Sequence, residues 1–222
     1  MTSVPIVSVR GEATIEVDPE IAVVSIGVVA RGPDYQQTLD LLSQRSRAVT
    51  EIIGSFASGI AKSETAGLHV YPELSDSKSE RVRRYSGQTT TTVTVDDFAV
   101  LSELIVRTSS IELVQISGPW WQLRPSSEAY RTARLAAARD AVVRAREYAD
   151  AFGVQITGLV EIADQGMSGS NPVMAKFAAR SLSAGMQDSA ASFDLQPARQ
   201  QVTGQVEARF TITQPDLATH FG

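Results

Sequence analysis

The sequence predicts an α+β fold: antiparallel sheet or sheets built from hairpins, with two shorter segments of helix and one long helix packed on one face. Apolar residues alternate with polar ones in several short windows, as half-buried strands require. In three other windows they recur at three- and four-residue steps, which is the period of a helix face. Clusters of glycine, proline and aspartate separate these windows, so strands and helices interleave along the 222 residues. That length is ample for a sizeable core.

From Pro5 onward Ile6, Val7 and Val9, then Ala13, Ile15 and Val17, alternate with polar residues as a first strand, with Gly11 interrupting the alternation as a bulge or bend. Asp18-Pro19-Glu20 follows as a turn, since Pro19 fixes φ and Asp18 can accept from the backbone beyond it. The β-branched run from Ile21 to Ala30 then returns, and the two strands are expected to pair as a hairpin. Gly32-Pro33-Asp34 closes this stretch, and Asp34 caps a helix from Tyr35 to Phe56. Leu39, Leu42, Val49, Ile52, Ile53 and Phe56 share its inner face.

A weakly alternating strand, Thr65 to Leu74, and a threonine-rich one, Tyr85 to Val95, flank the polar tip Ser75 to Arg84 and are expected to form a second hairpin. Asp96 or Asp97 caps a short helix over Phe98 to Thr108. A strand pair followed by a helix thus occurs twice, a weak sign of duplication. Ile111 to Leu123 is the next strand and carries Gly118-Pro119-Trp120-Trp121. Strand neighbours point to opposite faces, so one of the two tryptophans is expected to be exposed or at an interface.

The long helix spans Ser126 to Gly153. Ser126 and Ser127 offer N-cap hydroxyls, Glu128 complements the helix dipole, and Gly153 suits a left-handed exit. Tyr130, Ala133, Ala137, Ala141, Ala145, Tyr148 and Phe152 lie on one face, whose small side chains permit close approach to a sheet. Arg131, Arg134, Arg139, Arg144 and Arg146 fall largely elsewhere and read as a solvated face. Val154 to Ala163 is a further strand. The Ser-, Ala-, Gly- and Gln-rich stretch at about 164–197 reads as a mobile insertion, with a short helix over Val173 to Leu182. Gln200 to Thr213 is the final strand, with Gly204 as a second bulge. The whole of 1–222 is read as one domain.

Composition narrows the chemistry. With 20 basic and 25 acidic residues the net charge is −5, which argues against nucleic acid as a partner. No cysteine is present, so disulfides and thiolate chemistry are excluded. His69 and His220 are the only imidazoles, too few for a multi-histidine metal site. No serine sits in a G-x-S-x-G elbow. The carboxylate pairs Asp18/Glu20 and Asp96/Asp97 lie where turns and caps want them. Gly166-Met167-Ser168-Gly169 lacks the lysine of a phosphate loop. No apolar run is long enough for a membrane span. The opening residues lack the basic start of a secretory signal, so the chain as written reads as cytoplasmic, and a processed form would read as periplasmic or secreted.

Several strings taken in order resemble the SIMPL-domain family of bacteria. They are Val7 through Gly11 into Asp18-Pro19-Glu20, the Thr89 to Val95 strand before Asp96 and Asp97, and Ala136 through Gly153. The resemblance covers Val4 to Thr213. It implies antiparallel sheets with helices on one face, homo-oligomers in some members, ring-like ones included, and envelope or secreted settings linked to stress tolerance. It carries over no catalytic motif, cofactor or metal ligand.

The sequence therefore points to a non-enzymatic, self-associating protein without a cofactor. Its candidate interface residues are Trp120 and Trp121, because exposed tryptophan calls for a cover. Arg81, Arg83, Arg84 and Tyr85 join basic charge to an aromatic at the hairpin tip. The alternative is a module that binds a small molecule or peptide, using 164–197 as a lid.

Overall fold

The computed structural model describes residues 4–75, 82–164 and 195–216. Among these the order is β1 (Ile6–Val17), β2 (Ile21–Gly32), α1 (Tyr35–Ser55), β3 (Ile60–Leu74), β4 (Val82–Val95), α2 (Leu101–Ser109), β5 (Val114–Gln122), α3 (Glu128–Ala151), β6 (Ile156–Asp164) and β7 (Gln200–Ile212). The fold is α+β, with two antiparallel sheets and one long helix, as the residue pattern requires. Contacts resolve the chain into two compact units, one built from β1, α3, β6 and β7, the other from β2 through β5 with α1 and α2. Most of the expected 164–197 insertion and its Val173 to Leu182 helix lie outside the described residues, as do Arg81 and His220.

The first unit is a three-stranded sheet in the order β1-β7-β6. Cross-strand pairs Arg10–Glu207, Glu12–Gln205, Thr14–Thr203 and Glu16–Gln201 hold β1 and β7 in one constant antiparallel register. Those side chains stand on the face away from α3. On the other face Val9, Val206, Ala208 and Phe210 are buried against Ala137, Ala141 and Ala145. The alanine stripe brings the helix backbone down onto the strands. A methyl group on Gly11 would sit 2.0 Å from the Ala137 carbonyl oxygen, and one on Gly204 would sit 2.3 Å from that of Ala133. Neither glycine marks a bulge, contrary to expectation: both are places where the helix leaves no room for a side chain.

Helix α3 starts and stops by the expected chemistry. The Ser127 hydroxyl accepts from the Ala129 amide, and Gly153 takes φ 64°. Its buried stripe runs Ala133, Ala137, Ala141, Ala145 and Ala149, all alanine. Tyr130, Tyr148 and Phe152, assigned to the same face by spacing, are exposed. The alanine contact is too tight to seat an aromatic ring, so the stripe continues through Ala149.

The second unit is a four-stranded sheet in the order β3-β4-β2-β5. Ala22, Val24, Ile26, Val28 and Ala30 of β2 are almost wholly buried on one face, with Val93 and Val95 beside them. Leu42, Val49, Ile53 and Phe56 from the end of α1, and Leu101 and Leu104 of α2, close over that face. Each such side chain contributes roughly 1.5–3 kcal/mol of burial. Thr38 and Thr108 are buried in helices with their hydroxyls donating to the Asp34 and Leu104 carbonyls, so their polarity is satisfied. Asp34 caps α1 by accepting from Gln37 N at 2.9 Å.

The β3–β4 hairpin forms as expected, although β3 begins at Ile60 rather than Thr65. The expected β1–β2 hairpin does not. β1 pairs with β7 and β2 lies between β4 and β5, so Asp18-Pro19-Glu20 carries the chain from one sheet to the other. The two strand-pair-then-helix segments are therefore not copies of one unit. Two boundaries also move: α2 is entered through a 3-10 turn at Phe98–Val100, and β5 starts at Val114 after Leu113, which takes φ 58°.

Candidate functional site

The two groups of candidate residues occupy opposite ends of the four-stranded sheet. Along β2, Val23 and Ala22 face Trp120 and Trp121, whereas Gly32 faces Tyr85. Nine residues of strand separate Val23 from Gly32, about 30 Å at 3.3–3.4 Å per residue. The tryptophans and the basic cluster therefore do not form one site.

Trp120 and Trp121 lie on β5, an edge strand. They point to opposite faces as expected. Trp121 is partly buried against the core and meets Phe98 edge-on, with ring centroids 4.9 Å apart and planes at 74°. Trp120 remains 48 % exposed. Gly118-Pro119 sits just before it, and the β2–β5 register shifts between Val23 and Ser25. Gly118 takes φ 111°, a conformation suited to glycine.

At the other end, Arg84 is tied to Glu73, which also lies 3.8 Å from Arg31. The Arg84 guanidinium holds the Glu73 carboxyl below the usual carboxylate range, and Arg31 and the Ser86 hydroxyl act in the same direction. Tyr85 packs edge-on against Tyr35 at 6.1 Å. Arg83 is exposed. Of this cluster, Arg84 and Tyr85 thus fasten the sheet end.

The residues weighed for chemistry are placed by structural roles. Asp97 caps the 3-10 turn by accepting from Ala99 N, and Asp96 pairs with Arg124 at 3.4 Å. Glu20 accepts from the Arg124 amide, and Asp18 pairs with Arg199. His69 lies exposed on β3. Among the described residues no three His, Asp or Glu side chains are grouped to hold a metal ion. No helix among them is long and apolar enough to cross a membrane.

The three-stranded unit has a recess of about 250 Å³ lined by Ile6, Val7, Tyr148, Phe152, Val154 and Ile212. A second, of about 220 Å³, is walled by the pairs Arg10–Glu207 and Arg209–Glu161. The second neutralises its own charge, and the first offers no carboxylate or imidazole. Neither assembles an acid, base and nucleophile.

Comparison with known proteins decides the family. The profile of SIMPL, described as a protein of unknown function (DUF541), matches residues 7–210. The chain belongs to the SIMPL family. The match covers nearly every strand and helix described above. No curated protein matches the SIMPL chain. Among solved structures, an uncharacterized conserved protein from Listeria innocua is similar at 12 % identity and a TM-score of 0.24, over 91 % of this chain and 92 % of that one. A structure from Burkholderia cenocepacia described as a "putative amidohydrolase/peptidase" is similar at 16 % identity and a TM-score of 0.27. It is matched by 60 % of this chain, which spans 33 % of its length.

The arginines of α3, expected on a solvated face, differ in their partners. Arg131, Arg134, Arg139 and Arg146 have no ion-pair or hydrogen-bond partner among the described residues, whereas Arg144 is held by Asp140 at 2.7 Å. Helical spacing alone marks them as solvated.

Proposed function

We propose that this SIMPL protein is a non-enzymatic, self-associating component of an envelope- or stress-related assembly. The observation that carries the reading is Trp120, half exposed on the edge strand β5. An edge strand offers unpaired backbone groups, and a large aromatic on it is a natural anchor for a second copy. Further support comes from the carboxylates, whose places in caps, turns and ion pairs give them structural work in place of acid–base chemistry. The envelope setting follows from the family resemblance.

Light scattering across a dilution series tests this. The expected result is a defined oligomer that Trp120→Ala shifts toward monomer with little loss of stability. Trp121→Ala is expected to act differently, lowering stability by about 2 kcal/mol, less than the roughly 3–5 kcal/mol of a fully buried tryptophan. A monomer at all concentrations, or a mass that ignores Trp120→Ala, would refute the assignment.

A further inference from the structure

We infer that the flank of α3 beside β6 is a docking surface for an acidic amphipathic segment of another protein. The helix lies on its sheet with two distinguishable flanks. Asp140 marks the β1 side, where its carboxylate accepts from the Glu12 amide at 2.9 Å. Ala138 and Val142 mark the other side, partly buried against the core that includes Val206, Ala208 and Phe210 of β7. Continuing that flank by steps of three and four gives Arg131, Leu135, Ala138, Val142 and Arg146. Leu135 is 44 % exposed.

β6 extends the same surface. Leu159 lies opposite Phe210 and Ile162 opposite Ala208, both buried β7 residues on the helix side, so Leu159 and Ile162 share that side. The helix does not reach over them, and they are 58 % and 57 % exposed. Val142, Leu159 and Ile162 thus lie on the helix side of the sheet, and Leu135 continues the helix flank past the end of β6. Register shifts in β6 between Ile156 and Gly158 and between Leu159 and Glu161 blunt the strand edge itself. Contact through side chains is therefore favoured over strand addition.

Charge identifies the occupant. The chain is acidic overall, and Arg10, Arg45, Arg84, Arg124 and Arg209 are each held by a carboxylate. Four arginines of α3 are not: Arg131, Arg134, Arg139 and Arg146 lack partners among the described residues. From Arg131 to Arg146 the helix rises about 22 Å at 1.5 Å per residue, the length of an amphipathic helix of roughly fifteen residues. Such a segment lays its apolar face on these apolar residues and its carboxylates against the arginines. The arginines sit beside the apolar residues as well as around them, which suits a narrow partner better than a flat lipid surface.

The test is fluorescence anisotropy of the full chain with a panel of dye-labelled fifteen-residue peptides. Each carries leucines at i, i+3, i+4 and i+7 flanked by glutamates. Saturable binding is expected, falling as salt rises, and weakened at least tenfold by Arg139→Glu with Arg146→Glu. Ile162→Ser, on an exposed side chain, should weaken it comparably, and Arg47→Glu, on the exposed side of α1, should leave it unchanged. Peptides with serine in place of leucine, or glutamine in place of glutamate, should bind at least tenfold more weakly. The inference fails if no panel member binds, or if the α3 and β6 substitutions leave binding intact. It also fails if phosphatidylglycerol vesicles bind through these arginines while the peptides do not.

Discussion

Gly11 and Gly204 set how close α3 can lie to its sheet. Each faces helix backbone, which cannot swing aside as a flexible side chain would. Gly11→Ala and Gly204→Ala are each expected to lower stability by about 3 kcal/mol, the upper part of the overpacking range. Gly54→Ala is the matched control. Gly54 lies near the end of α1 with nothing within 4 Å of an added methyl, so alanine there should raise stability by about 0.5 kcal/mol. Urea unfolding of the three variants checks the contrast, and equal effects at all three positions would remove the close-approach explanation. At this scale the glycines were visible in the sequence but their purpose was not. A broken alternation looks the same whether the chain bulges or another backbone crosses it. The tryptophans were more legible, because opposite faces for neighbouring residues follow from strand geometry alone.

Helix α3 shows which parts of an element are written locally. Its cap at Ser127 and its exit at Gly153 depend on residues within one turn, and both were readable. Its aromatic residues were misplaced because spacing gives direction around the axis but not the depth of the contact. Asp140 adds an electrostatic tie to β1. The Glu12 amide hydrogen bond, assisted by the Arg144 guanidinium, holds its carboxyl below the ordinary aspartate range. A carboxyl with a depressed folded pKa stabilises above the unfolded value, about 3.9, and loses that contribution as pH falls through the folded one. Asp140→Asn keeps an acceptor for the amide but removes the charge. The stability difference between wild type and Asp140→Asn should therefore be largest near pH 5 and shrink toward pH 3. Paired urea titrations measure it, and a difference independent of pH would show that the charge contributes nothing to folding. The arginines of the far flank, unpaired among the described residues, read in the sequence only as a solvated face. The docking role proposed for this flank draws on Leu159 and Ile162, which only sheet pairing with β7 places on the helix side.

Over the whole molecule, the chain leaves one sheet at Asp18 and returns to it at α3, so the four-stranded unit is inserted between β1 and the rest of its own sheet. Turn chemistry at Asp18-Pro19-Glu20 fixes a change of direction and cannot say which sheet the next strand joins. That is why the β1–β2 pairing was not legible while the number and kind of elements were. Each unit has its own apolar core, so separate transitions are expected. Both tryptophans of the chain lie in the four-stranded unit, so their fluorescence follows that unit. Far-UV circular dichroism also sees α3, the longest helix among the described residues. In Gly204→Ala the crowding falls on α3 and β7. Its urea unfolding should show an early loss of ellipticity at denaturant concentrations where tryptophan emission is still native. The fluorescence midpoint should stay at the wild-type value. If both probes instead shift together by the same amount, the two cores unfold as one cooperative body. The stability of either sheet would then depend on contacts beyond its own.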